Sequence, residues 1–411
     1  MSATSVTAAR PVAPAWLAVL AAPLSFGITG PTLVLGELER DLGVSPASAA
    51  SVVTAFGWGI AVGTPLTGVL LARRGHRSTV LLAIGLAVLG SALAVAAAVL
   101  AAGTGLTGGA GLTAMVVGAG VQGIGSAGFT VVALQLARSA AAMGAVTASM
   151  ASLGAVAPLI GSQVSAALGW PAVLALPLVS LIAAPAALRA GAPAAEKNRA
   201  AGADPVGAVL LVAWVTALVF LPTRPLPAGL AVLVLTSALA LHLRRRPDGF
   251  VPAAVPRSPR FVGSAALAFG LAVVNFGIVY TAPGLLAAQT GWTSAQLGVA
   301  FLVPYLAGGA LSWFLVAGSA RLGGRTLVAV LAGTSLVAVA SVTFGAGVSG
   351  LVFAGMLLGS LAAATGQGAL ALRAGAAVPP SVRPAAMGLF TLCFLLGAAF
   401  GPAVAALTSS A

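Results

Sequence analysis

Long apolar runs, separated by short segments that carry nearly all of the charge, constrain this chain more than any other feature of its sequence. A helix needs about 20 residues to cross a bilayer, and the runs have about that length. Only 6% of the 411 residues are charged, against about 25% in a soluble domain. The runs lack the ~10-residue alternation of a membrane β-barrel. The sequence therefore predicts an all-α polytopic membrane protein.

Glycine, proline and charged residues divide the chain into thirteen predicted membrane helices. We predict an N-terminal half of six helices within residues 12–190, a linker with two inserted helices within 191–260, and a C-terminal half of five helices within 261–411. The thirteen predicted spans cover residues 14–36, 47–72, 79–100, 111–136, 143–168, 171–188, 205–221, 227–243, 262–287, 295–317, 326–344, 350–372 and 385–407.

The distribution of basic residues supports this topology. With the N-terminus in the cytoplasm, every lysine and arginine except Arg40 and Arg224 falls on the cytoplasmic side, as the positive-inside rule requires. The net charge of +13 therefore reflects membrane orientation, and nucleic acid is not a predicted partner. We predict a multi-pass protein of the plasma membrane whose first partner is the lipid bilayer.

A constant offset between scarce residues indicates an internal repeat. Gln122-Gly123 recurs as Gln367-Gly368, 245 residues on, and Met143-Gly144 recurs 244 residues on. Such repeats are typical of transporters built from two homologous halves. By the same offset, the counterpart of the sixth helix would fall beyond Ala411. The second half is therefore expected to lack its last helix, either as a true thirteen-span protein or through a shortened gene.

A glycine and arginine motif joins the second and third predicted helices. Glycines allow a tight turn there, and a basic cluster can pair with helix ends and acidic partners. The chain resembles the major facilitator superfamily in this motif, and its two additional central helices resemble those of the 14-span drug:proton antiporters. Ala72 stands where that family has an Asp, so the carboxylate of the family's gating salt bridge is missing. The motif comprises Gly68, Arg73, Gly75 and Arg77.

The fifth predicted helix carries Gly154, Pro158 and Gly161, which are similar to the antiporter motif of the same family. Small residues let helices approach closely, and proline bends a helix. Ala157 replaces the glycine that usually precedes this proline. Close helix packing without antiport is the alternative interpretation.

Ionisable groups that could couple transport to protons are scarce. None of the six acidic residues lies in the middle of a predicted helix, and Gly27 occupies the position where the family has an acid. Glu37, at the outer end of the first helix, is the remaining candidate for a proton carrier. A solvated helix end is its alternative role.

The candidate residues for a substrate cavity are polar but uncharged, or aromatic. An apolar cavity with a few such groups suits a hydrophobic or weakly amphipathic solute. Amides within membrane helices also bond neighbouring helices, which is the alternative for each of them. Tyr305, Trp313 and three further glutamines belong to the wider set. The candidates chosen are Phe26, Trp58, Gln122, Asn275, Tyr280 and Gln367.

The predicted function is a secondary transporter that exports such a molecule by alternating access, with or without proton coupling. An uncoupled facilitator of the same fold and a non-transporting sensor or partner subunit are the alternatives. An enzyme is not predicted, because His76 and His242 lie in or beside loops and Cys393 lies in an apolar run. This arrangement offers neither a nucleophile with a base nor metal-ligand spacing, so no metal or cofactor is expected.

Overall fold

The computed structural model describes residues 12–104, 109–190, 204–221, 224–292 and 294–409, and every regular element among them is helical. Eleven helices are long and apolar enough to cross a membrane. One of them, Ser48–Ala101, is long enough for two crossings, and the helix Pro205–Phe220 is a shorter apolar one. Together they account for all thirteen predicted spans. The all-α polytopic architecture is confirmed.

The first predicted span is not the single helix that the sequence suggested. Proline lacks a backbone N–H and interrupts a helix. Pro23 and Pro31 divide the span into short pieces for that reason. In chain order these are α1 (Pro14–Ala21), α2 (Pro23–Ile28), a 3-10 turn (Gly30–Leu33) and α3 (Leu35–Leu42).

The second and third spans form one element, α4 (Pro46–Thr104), which turns back at Gly75. Gly75 has φ 80° and ψ 174°, a conformation that glycine adopts without steric cost. Both arms of α4 then pack on α5 (Gly109–Leu136). Gly59 on the first arm and Gly90 on the second each lie against the backbone of α5, which shows that the chain reverses between them.

Three further elements complete the first half: α6 (Ala140–Leu168), a 3-10 helix (Trp170–Ile182) and α7 (Ala184–Arg189). The inserted pair follows as α8 (Pro205–Phe220) and α9 (Pro225–Arg245). α8 packs on α4, whereas α9 packs mainly on α8 and exposes most of its apolar side chains. In a bilayer that exposed surface faces lipid.

The described residues from Pro259 onward form the second half. Its long helices pack around α13, which carries the repeat-related Gln367. They are α10 (Pro259–Thr290), α11 (Ser294–Gly318), α12 (Gly324–Thr343), α13 (Ser349–Ala376) and α14 (Arg383–Ser409), with a 3-10 turn (Ser319–Arg321) after α11.

The two ends of the bundle differ in charge. We call the end that contains Gly75, Arg138 and Arg383 the basic end, because these residues line one cavity there. We call the opposite end, where α3 carries Glu37 and Asp41, the acidic end.

Candidate functional site

The two halves touch through small residues near the basic end. A Cβ atom added to Gly68 on α4 would lie 2.7 Å from the carbonyl oxygen of Pro384 on α14. On the other side of the bundle, a Cβ atom on Gly309 of α11 would lie 2.7 Å from Oγ of Ser152 on α6. Trp313 Nε1 adds a hydrogen bond of 3.0 Å to the carbonyl of Ala141. Two helix pairs, α4 with α14 and α6 with α11, thus close the basic end.

Toward the acidic end the halves move apart. Gly57 precedes Gly68 on α4 by eleven residues, and Gly298 precedes Gly309 on α11 by the same number. Eleven residues are about three helical turns, so each pair lies on one helix face. A Cβ atom on Gly57 or Gly298 would meet nothing within 4 Å. The space between the halves therefore widens toward the acidic end.

A cavity of about 170 Å³ lies between the halves at the level where they separate. Its wall combines α2 and α6 of the first half with α10, α11, α13 and α14 of the second. None of the described residues that line it carries a charged side chain. The apolar part of the wall includes Leu24, Ile28, Met150, Phe276, Val279 and Phe394.

Three polar atoms in the wall of this cavity are buried without a hydrogen-bond partner. They are Oδ1 of Asn275, the hydroxyl of Tyr305 and Nε2 of Gln367. Buried polar groups in folded proteins are nearly always hydrogen-bonded. Leaving one unpaired is costly, so a solute that pairs with these three atoms gains affinity. The set offers an acceptor, a hydroxyl and an amide donor, and no net charge.

Of the six predicted cavity residues, the structure brings Asn275 and Gln367 to this cavity. Gln122, the repeat partner of Gln367, lies elsewhere: its Nε2 donates to Oγ of Ser91 at 2.6 Å and to the carbonyl of Leu174 at 2.9 Å. Both hydrogen bonds lie within the first half. Gln122 therefore joins neighbouring segments of its own half, the role that the sequence left as its alternative.

Three aromatic candidates also lie outside the wall of the cavity. Phe26 is buried in a cluster with Ala22 and Ala157. Trp58 donates a hydrogen bond of 3.0 Å from Nε1 to Oγ1 of Thr216, which ties α4 to the inserted helix α8. Tyr280 is 61% exposed on α10. Tyr305, from the wider set, takes the place that Tyr280 was expected to have.

The motif on α6 packs against the first span. Gly154 lines the central cavity. Gly161 lies against the backbone of Gly30, where no Cβ atom would fit. Pro158 lies between them inside α6. The small residues thus let the first span approach α6 beside the cavity.

The motif of the α4 turn serves both the turn and the contact between halves. Gly68 forms the contact with α14, and Gly75 makes the turn. Arg73 is half-buried and Arg77 is exposed. Ala72, where the resembled family has an acid, lines a separate cavity at the basic end.

Glu37, the predicted proton carrier, lies at the acidic end. Its Oε2 accepts a hydrogen bond of 2.6 Å from Oγ of Ser165 on α6. Ser165 follows Gly154 by eleven residues on the same helix, which is about 16 Å at 1.5 Å per residue. Glu37 is therefore remote from the central cavity.

A helical bundle whose halves close at one end and enclose an uncharged cavity is the architecture of a membrane transporter. The sequence profile of the Major Facilitator Superfamily matches residues 15–259, and the chain belongs to that family. No curated protein matches the chain significantly.

Solved structures of transporters share this fold. The human organic anion transporter MFSD10 has a TM-score of 0.61 at 18% identity, over 96% of this chain and 92% of that one. The proton:xylose symporter XylE has a TM-score of 0.63 at 14% identity, over 97% and 89%. A bacterial homologue of the iron transporter ferroportin in its outward-facing state has a TM-score of 0.58 at 15% identity, over 96% and 92%. At these identities the likeness shows the fold alone.

Proposed function

We propose that the protein exports a neutral hydrophobic or weakly amphipathic small molecule by alternating access, with its basic end toward the cytoplasm of a plasma membrane. The observation that carries this proposal is the central cavity, in which Asn275, Tyr305 and Gln367 offer unpaired polar atoms within an apolar wall. An apolar wall with a few polar groups suits such a solute.

The uncharged wall also argues against several other solutes. An organic anion would call for an arginine or lysine in the wall, because guanidinium and ammonium groups are the usual partners of carboxylates. A divalent metal ion would call for carboxylate or imidazole ligands. A sugar would call for more free hydrogen-bonding groups than the three unpaired polar atoms of the described wall. A neutral, mostly apolar molecule is the solute that remains.

An uncoupled facilitator is the second candidate. Among the described residues that line the cavity, none is an acid or a histidine, and a proton-coupled carrier needs an ionisable group on its path. Glu37 is hydrogen-bonded to Ser165, about three turns of α6 away from the cavity wall. This distance favours transport without coupling, whereas the likeness to drug:proton antiporters in the α6 motif and the inserted helices favours coupling.

The test compares cellular accumulation of a panel of neutral hydrophobic dyes with and without the protein. We expect accumulation of at least one dye to fall when the protein is present. Tyr305→Phe removes only a hydroxyl from the cavity wall and should weaken export of that dye by about tenfold, the effect of one polar contact to a solute. Tyr280→Phe makes the same chemical change on an exposed side chain and should leave export unchanged.

Two results would contradict export. If no dye in a broad panel changes its accumulation while the protein is present in the membrane, a non-transporting role gains support. If Tyr280→Phe and Tyr305→Phe have equal effects, the cavity is not the binding site.

The same assay, repeated with a protonophore, tests whether transport is coupled to protons. If the protonophore abolishes efflux against a gradient, and Glu37→Gln does so as well, Glu37 carries the proton. If flux runs only down the solute gradient and is unchanged by the protonophore and by Glu37→Gln, the protein is a facilitator.

A further inference from the structure

A second, larger cavity of about 620 Å³ lies between the two halves at the basic end. Met143 on α6 and Met387 on α14 line it. Seven residues further along these two helices, Met150 and Phe394 line the central cavity. Seven residues of helix are about 10 Å. The described linings of the two cavities share no residue. The basic-end cavity is thus a separate compartment.

Two arginines from opposite halves face this cavity. Arg138 follows α5 in the first half, and Arg383 begins α14 in the second. The lining contains no Asp or Glu, and neither guanidinium has a carboxylate partner among the described residues. Arg383 uses Nε for a hydrogen bond of 2.9 Å to the carbonyl of Gly375. Like charges that face one cleft repel each other, which opposes closure of the halves.

The acids Asp204 and Asp248 do not relieve that repulsion. Asp204 is 5% exposed, and its carboxylate already accepts hydrogen bonds from Gly207, His242 and Phe250. Asp248 is exposed on the loop after α9. Neither lines the cavity. Within the part of the chain that the structure describes, the lining therefore carries positive charge without a counter-ion.

Two buried nitrogen atoms on the same lining lack hydrogen-bond partners. Nε2 of Gln135 is an amide donor, and Nε2 of His76 becomes a donor when the imidazole is protonated. Buried polar atoms of this kind call for a partner. The partner that suits both nitrogens and both arginines is an acceptor with several oxygens and a negative charge.

We propose that the basic-end cavity binds a phosphate-bearing anion, which bridges Arg138 and Arg383 and holds the two halves together at that end. Guanidinium groups bind phosphate oxygens in bidentate fashion, so one phosphate can engage both arginines and an amide donor. The volume exceeds that of a bare phosphate, so the group can belong to a soluble phosphate ester or to the headgroup of an anionic lipid. This proposal concerns binding and does not depend on the solute of the central cavity.

The first arm of the test measures thermal unfolding of the full chain in phosphatidylcholine nanodiscs, with inorganic phosphate added at constant ionic strength. A ligand that binds only the folded state raises Tm with concentration. The second arm compares nanodiscs of phosphatidylcholine with nanodiscs that contain phosphatidylglycerol, without added phosphate. A rise in Tm in the first arm identifies a soluble source, and a rise confined to the second identifies a lipid headgroup.

Variants of the lining residues test whether the rise in Tm comes from binding in the basic-end cavity. Arg138→Gln or Arg383→Gln should weaken the anion effect by about tenfold or more, the loss of one charge-assisted contact. Arg74→Gln is the control: it removes an exposed arginine of the α4 turn that does not line the cavity. This variant should leave the effect of the anion unchanged. Ala72→Asp places a carboxylate in the lining and should abolish the response to phosphate while raising Tm in its absence.

The Ala72→Asp variant keeps the test decisive if an arginine variant folds poorly. The proposal is overturned if Tm responds in neither arm. It is equally overturned if Arg138→Gln, Arg383→Gln and Ala72→Asp respond to phosphate or to phosphatidylglycerol as strongly as the unmodified chain does.

Discussion

Gly68 of α4 and Gly388 of α14 lie backbone to backbone across the two halves: a Cβ atom on Gly68 would stand 3.4 Å from the Cα atom of Gly388. In the other direction, a Cβ atom on Gly388 would stand 3.1 Å from the Cα atom of Pro65. At this contact the backbones have no room for a side chain. Closure of the basic end therefore depends on glycine at both positions.

The first prediction concerns this contact. Gly388→Val should force α14 away from α4 and shift the protein toward a state that is open at the basic end, because backbone atoms cannot yield as a flexible side chain can. Spin labels on the exposed residues Arg74 and Ser381 should report a longer distance in electron paramagnetic resonance. Gly57→Ala, which meets open space, is the control. Equal distances in both variants would show that the contact does not hold the basic end closed.

The second prediction separates the two repeat-related glutamines. Gln122→Leu removes two hydrogen bonds and leaves the Leu174 carbonyl without that donor, so the free energy of unfolding should fall by about 1–2 kcal/mol. Gln367→Leu removes a buried amide nitrogen that has no partner, so stability should stay the same or rise while solute binding falls. Thermal unfolding and dye binding on the purified variants measure both effects. A larger loss of stability in Gln367→Leu would contradict the assignment.

The third prediction concerns Asp204, which is the N-cap of α8 and accepts a hydrogen bond from the backbone N–H of Phe250 in the loop after α9. Burial would raise the pKa of Asp204, but backbone N–H groups of Phe250 and Gly207 and the side chain of His242 together hold it below its ordinary value. Asp204→Asn places an amide among these donors, and should lower the free energy of unfolding by about 1–3 kcal/mol. Asp248→Asn, on the exposed loop, should have no such effect.

The pH dependence of the Asp204 interaction has a definite sign. Because its folded-state pKa is depressed, the stabilisation is present above the unfolded-state pKa of about 3.9, and is lost as pH falls through the lower folded-state value. Chemical unfolding of the unmodified chain and of Asp204→Asn should therefore differ at neutral pH and converge in strong acid. A difference between the two that persists unchanged into strong acid would exclude the carboxylate as its source.

The fourth prediction links the basic-end cavity to protons through His76. Burial lowers its pKa, a hydrogen bond with the backbone of Ala190 raises it, and the charge of Arg77 lowers it, with a net decrease. Among the described residues, Arg138 and Arg383 are the charged side chains that line the cavity beside it. Neutral pH therefore favours the neutral imidazole, and protonation makes a donor of its unpaired Nε2.

An anion in this cavity favours the protonated imidazole, so binding should take up a proton. Sulfate, whose charge is constant in this range, should bind more tightly as pH falls from about 7.5 to about 5.5, across the ordinary histidine pKa. His76→Gln should remove that dependence and retain weak binding through the arginines. Calorimetric titration at both pH values provides the comparison. A pH dependence that survives in His76→Gln would assign the proton to another group.

Hydropathy and charge were sufficient to predict the thirteen spans and the all-α fold, because lipid forces each apolar segment to satisfy its own backbone. The repeat predicts that Gln122 on α5 and Gln367 on α13 occupy equivalent helices. It could not predict that one is paired and the other unpaired, because that difference depends on Ser91 and Leu174, which approach only Gln122. Repeat symmetry relates backbones, whereas the partners of a side chain come from segments that have diverged.

The choice between two tyrosines shows the same limit. Tyr280 and Tyr305 both lie in uniformly apolar helices, where hydropathy gives almost no signal of which face turns inward. The orientation follows from packing: α11 presents Gly309 to α6 and thereby turns Tyr305 toward the cavity. The breaks in the first span are easier to predict from the sequence, because Pro23 and Pro31 interrupt a helix wherever it packs.

The uncharged wall of the central cavity also bears on how the membrane potential acts on this protein. Moving one elementary charge through 100 mV takes about 2.3 kcal/mol, which is enough to bias a conformational cycle strongly. A carrier whose central wall holds no formal charge, loaded with a neutral solute, moves no charge through the middle of the field. Without proton exchange its turnover is electrically silent, and the resting voltage of the cell neither drives it nor holds it back; with proton exchange the proton alone carries the charge.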